Sequence, residues 1–200
     1  MKAKAKTTSK SIREAKRAEK QRRQLAWRSV SALIGLGIAA AVGYFAWTVF
    51  GPKPGQSVPS QGRAHIAVDD PHEPYNSDPP TSGPHAGRVE EGFYDNAPPD
   101  EQLVHNLEHG YVIISYNCAS LDEVGCQTLK TEIKTTMGRA KPVSFATDAK
   151  KLIAAPRPTM DSPIALTSWG RVLKLNTFDE ETVMDFISKL RNQAPEPDAP

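Results

Sequence analysis

An uncharged run of twenty-two residues, Ser29–Phe50 (SVSALIGLGIAAAVGYFAWTVF), constrains this chain more than any other feature. As a helix rising about 1.5 Å per residue it reaches roughly 33 Å, enough to cross a hydrocarbon core of about 30 Å. A soluble helix rarely stays apolar on every side for so long. Trp27 stands at one end, and Tyr44 and Trp47 near the other, at the two interfacial levels that amphipathic rings favour. A cleavable leader is the rival reading, with an apolar core of about 7–15 residues ending at a small-x-small site. Here Phe50-Gly51-Pro52 closes the run, and no Cys follows to accept a lipid. The run is read as an uncut anchor through which the chain meets the lipid bilayer.

Charge then orients it. Eleven of the 25 Lys and Arg fall in residues 1–28, against only Glu14 and Glu19, so that tail carries about +9 and the remainder about −7. The positive-inside rule puts residues 1–28 in the cytoplasm and everything after Phe50 outside, as a single-pass protein of the cell membrane. The tail has no aromatic residue before Trp27 and no base-reading motif, so no nucleic-acid partner is expected. Contact with anionic lipid, at about 1 kcal/mol per basic residue near the surface, accounts for its charge. Protein partners are not specified by any motif.

Beyond the anchor, residues 51–62 (GPKPGQSVPSQG) read as a Pro/Gly spacer, and residues 192–200 as a disordered tail. Residues 63–191 have the size of one modest extracytoplasmic domain. Its first half, His65 to Glu101, is dense in proline (Pro71, Pro74, Pro79, Pro80, Pro84, Pro98, Pro99) and is expected as a long Pro/His-rich loop region. The second half is periodic. Strands are expected at Tyr111–Tyr116, Lys151–Ala155, Ile164–Trp169 and Arg171–Leu175, the last two as a hairpin about Gly170. Capping boxes at Ser120…Glu123 and Thr177…Glu180 open two helices. Their apolar faces are Cys126/Leu129/Ile133/Met137 and Val183/Phe186/Ile187/Leu190. The expected fold is α+β: a short sheet of about four strands packed by about two helices.

Both cysteines, Cys118 and Cys126, fall on the side assigned to the oxidising compartment, which favours a disulfide over two buried thiols. Within one helix their Cα atoms would stand roughly 12 Å apart, too far to bridge. With Cys118 at a strand end and Cys126 early in a helix, a structural bond becomes feasible. Seven intervening residues exclude a C-x-x-C redox motif.

All five histidines (His65, His72, His85, His105, His109) lie in the first half of the domain. Two patterns stand out: YNSDPPTSGPH, Tyr75 to His85, and VHNLEHG, Val104 to Gly110. With the later TSWGRVLKL and the acidic start of the last helix, they make the stretch from about His65 to Leu190 resemble the bacterial membrane-anchored family known as domain of unknown function 3105. The resemblance implies a shared fold and a shared arrangement around His85, His105, Glu108 and His109. It supplies no activity.

Chemistry has to come from the side chains. His105 and His109 are four apart and share a face if their segment is helical. With His85 and Glu108 they would make a site for Zn²⁺ or copper, with Tyr75, Asp78 or Asn106 as supporting partners. His105-x-x-Glu108-His109 also fits the H-x-x-E-H pattern of some metallopeptidases, but those carry it on a long helix, whereas Gly110 and a strand follow here. No nucleophile elbow, P-loop or dinucleotide fingerprint is present, and no catalytic residue is assigned. Three readings stand: a metal- or ligand-binding module, a structural domain in which the His/Glu cluster pins the loop, and a metallohydrolase using Glu108 as base.

Overall fold

The computed structural model describes residues 2–144 and 146–198. The chain divides into two compact units, Met1–Gly51 and Pro52–Pro200. The first is one helix, α1 (Lys2–Phe50), so the basic tail is helical as well as the apolar run. It contains a stretch, Ile12–Trp47, long and apolar enough to cross a membrane by length and composition.

The second unit is an α+β domain built on a mixed sheet. In chain order its elements are β1 (Gln56–Ser57), β2 (Gly92–Phe93), α2 (Asp100–Glu108), β3 (Val112–Tyr116), α3 (Glu123–Arg139), β4 (Leu152–Pro156), β5 (Ile164–Ser168), β6 (Arg171–Leu175) and α4 (Glu180–Leu190). The sheet has six strands in the order β1-β6-β5-β3-β4-β2, where about four were expected. The two additions are the edges. Gln56–Ser57, expected as spacer, pairs antiparallel with Val172 and Arg171. The Arg171 guanidinium also donates to the carbonyls of Lys53, Pro54 and Gly55 at 2.7–3.0 Å. Gly92–Phe93 pairs parallel with β4. Strands of two residues have no apolar period to betray them.

Strand β3 lies at the centre, parallel to β4 and antiparallel to β5. Parallel neighbours need a crossover, which α3 provides. Every residue of β3 is buried, because the sheet is covered on both faces. Val112, Ile114 and Tyr116 join Leu129 and Ile133 of α3 and Val183, Phe186, Ile187 and Leu190 of α4 in one core. Ile113 points the other way, with Tyr111, Ile153 and Ala155, onto Leu103 and Leu107 of α2. The period-2 alternation of one strand thus divides the apolar residues between two layers.

Both expected capping boxes are displaced by two residues. Asp122 accepts from Gly125 N at 2.7 Å and Asp179 from Thr182 N at 2.9 Å. A carboxylate at the N-cap meets both the orphan N–H and the positive end of the helix dipole, an advantage over the earlier Ser120 and Thr177. Cys118 precedes α3, Cys126 lies in its first turn, and their sulfurs stand at disulfide distance with Cα atoms 5.3 Å apart.

Candidate metal centre

Helix α2 supplies the floor of the site. Asp100 and Glu101 occupy its first turn, where acidic groups suit the helix dipole. Leu103 and Leu107 anchor one face to the sheet. That rotation sets His105, Asn106 and Glu108 in the last turn, with His109 as the C-cap. The Nε2 atoms of His105 and His109 lie 3.1 Å apart. Burial, followed by the charge of neighbouring His109, holds the His105 pKa below the ordinary histidine value. Its imidazole is thus neutral near pH 7, the form that ligates metal.

The Pro-rich segment supplies His85. Gly83 has φ 129°, and a Cβ there would meet the Tyr75 ring at 3.0 Å, so only glycine lets that ring lie against the bend. Tyr75 OH donates to Pro84 O at 2.6 Å, fixing the residue before His85. His85 Nδ1 donates to Gly83 O at 2.8 Å. A carbonyl can only accept, so in neutral His85 the Nε2 atom carries the lone pair. His65 pairs with His85 in a parallel bridge, through Ile66 N to His85 O and His85 N to Ala64 O, each at 2.9 Å. The rings of His65, His85 and His105 meet edge to face, with centroids 4.5–5.3 Å apart. One ligand atom from each falls within 4.8 Å of the others. Trp169, from the TSWG motif, closes on His85 edge-on at 6.4 Å.

Glu108 completes the cluster. It is fully buried, and its Oε2 lies 2.9 Å from His85 Nε2. Among the described residues, neither that nitrogen nor either Glu108 oxygen makes a hydrogen bond, and His105 Nδ1 makes none either. The close pair lacks hydrogen-bond geometry despite its distance. Two ligands on one ion with bonds of about 2.0–2.1 Å stand roughly 2.9–3.4 Å apart. The 2.9 Å separation of His85 Nε2 and Glu108 Oε2 falls in that range.

The remaining expected partners have other employment. Asn106 exchanges two hydrogen bonds with the backbone of Val89, at 3.0 and 2.9 Å. Asp78 pairs with Arg157, which also grips both oxygens of Asp100 at 2.6 and 3.0 Å. His72 stands apart, bonded to Glu73 O at 2.7 Å and 3.5 Å from Glu101. The helix stops at Glu108, so His105-x-x-Glu108-His109 does not lie within a long helix. Three residues not assigned to the site from sequence belong beside it: His65, Arg63 and Glu196. Arg63 lies 3.7 Å from Glu108 and 3.4 Å from Glu196, and Glu196 lies 4.0 Å from His109. The crowding of histidines in one half of the domain was the available signal for His65; QAPEPDAP carries none for Glu196.

Fold and site together define a small α+β domain with a buried histidine–glutamate cluster, preceded in the chain by a helix apolar enough to cross a membrane. The chain belongs to the family described as protein of unknown function, DUF3105, which matches residues 68–200. No curated protein and no solved structure matches it.

Proposed function

We propose that this protein is a single-pass, membrane-anchored, extracytoplasmic metal-binding module. Its ion is zinc or copper, held by His85 and His105 with His65, Glu108 and His109 around them. One observation carries this reading. His85 Nε2 and both oxygens of buried Glu108 make no hydrogen bond among the described residues, and His65, His85 and His105 bring one ligand atom each within 4.8 Å of one another. A buried carboxylate left uncompensated costs several kcal/mol, and a cation removes that cost. Imidazole-rich sets with one carboxylate suit zinc and copper. The anchor and its orientation are supported by the apolar stretch, the basic tail and a cysteine pair suited to an oxidising compartment.

The test is metal analysis of the full chain in detergent after incubation with zinc or copper and removal of excess. Wild type is expected to retain the ion at micromolar concentration, and His85→Ala/His105→Ala to lose it. Failure of wild type to retain either ion would remove the proposal. One contact favours the alternative of a structural cluster: Arg63 already places a cation 3.7 Å from Glu108. On that reading the histidine substitutions lower stability and leave metal retention at the wild-type background.

A further inference from the structure

Glu108 faces two ways. Oε2 is turned to His85 and the histidine triad, at 2.9 Å. Oε1 lies 3.7 Å from the guanidinium of Arg63, which also stands 3.4 Å from Glu196, and one ligand atom from each of Glu108, His109 and Glu196 falls within 4.8 Å of the others. Glu196 is not a chance neighbour. Its own N–H donates to Glu108 O at 3.1 Å, taking one of the carbonyls left open at the end of α2. The buried ammonium of Lys151 binds His109 O at 2.9 Å, Asn192 Oδ1 at 3.1 Å and Pro197 O at 2.6 Å, so it ties this tail to the helix end. Asn192 N donates to Gly110 O at 2.8 Å, and a Cβ on Gly110 would lie 2.8 Å from Asn192 Cα. The residue after the VHNLEH motif is therefore shaped to receive the segment that brings Glu196 in.

The cation now beside the two carboxylates is Arg63, at 3.7 and 3.4 Å, on a side chain 51% exposed. Charge-assisted bonds are normally about 2.7–2.9 Å, and contacts this long on an exposed arm are weakly held. Both Glu108 oxygens still lack a hydrogen bond among the described residues.

We infer that the cluster is a two-position metal centre. The first position is the histidine-rich one, His65, His85 and His105. The second is made by Glu108, His109 and Glu196, and takes a second zinc(II) or copper(II) ion when Arg63 swings out. The Glu108 carboxylate bridges them, one oxygen to each. The second position presupposes that the first binds metal. Ions so bridged stand about 3.5–4 Å apart, close enough to couple magnetically.

Stoichiometry separates the two readings. The full chain in detergent is titrated with copper(II) and, separately, zinc(II), and metal per chain is measured after gel filtration. Wild type is expected to hold two ions, Glu196→Ala one, and Arg63→Gln two with the second bound several-fold more tightly. In paramagnetic resonance the first copper(II) should give the signal of an isolated ion, and the second should diminish it; Glu196→Ala should lose that diminution. A single ion in wild type would overturn the two-position centre and leave the first site standing. Two ions undiminished in Glu196→Ala would overturn it also. No ion at all would dispose of both. Thermal melting of each metal-free variant, expected within a few degrees of wild type, guards against misfolding.

Discussion

His85 Nε2 and Glu108 Oε2 lie 2.9 Å apart inside the domain, and neither takes part in a hydrogen bond among the described residues. Glu108→Gln removes the buried charge and keeps the shape. If the pair awaits a metal ion, the metal-free variant should be as stable as wild type, or more stable by about 1–4 kcal/mol. Its zinc-induced rise in melting temperature should shrink. Denaturant unfolding without metal measures the first, and thermal melts with and without zinc the second. A loss of about 3–5 kcal/mol without metal would instead mark Glu108 as the charge partner of His85.

Gly110 has φ 82°, and Asn192 passes where its side chain would be. Gly110→Ala should cost about 1–3 kcal/mol, from left-handed backbone strain and displacement of the tail. Hydrogen exchange should rise at Asn192 and Glu196, whose N–H groups bond to Gly110 O and Glu108 O. Unchanged exchange there would refute the proposed fit.

Tyr116 titrates late. Burial, then the nearby charge of Asp95, pushes its pKa from 10.0 up to about 12. The unfolded chain releases this proton near pH 10 while the folded chain keeps it, so stability should fall as pH rises from 10 toward 12 and level off above that. Below pH 10 the group should leave no pH dependence. Tyrosinate absorbance of wild type against Tyr116→Phe isolates its titration, and a midpoint at the ordinary value of 10.0 would contradict the burial.

Cys118 and Cys126 enclose a short loop at the mouth of α3. Opening it by Cys118→Ser/Cys126→Ser should lower stability by about 2–3 kcal/mol. Under non-reducing conditions the folded wild-type chain should show no thiol reactive toward a disulfide reagent; two reactive thiols would mean the bond does not form.

Much of the domain could be read before it was folded. Val112–Tyr116 is buried on both faces, and four β-branched or aromatic residues in five positions announce that in one dimension. The apolar face of α4 is equally plain, since Val183, Phe186, Ile187 and Leu190 recur at helical spacing. Of the site, His105, Glu108 and His109 were legible because they are local: four residues of chain place them on one turn.

The sequence alone settled the chain's class of parts: an apolar span, a periodic α+β half, a histidine-bearing half. Tertiary structure decided which polar groups meet. His65 reaches His85 through a bridge across twenty residues, and Glu196 reaches Glu108 across eighty-eight. Asp78, written into the same motif as His85, is drawn off to Arg157. Periodicity records which face of an element is apolar, because burial repeats along the chain. A contact between two single polar residues repeats nowhere, so nothing in the order of amino acids marks it until packing brings the segments together.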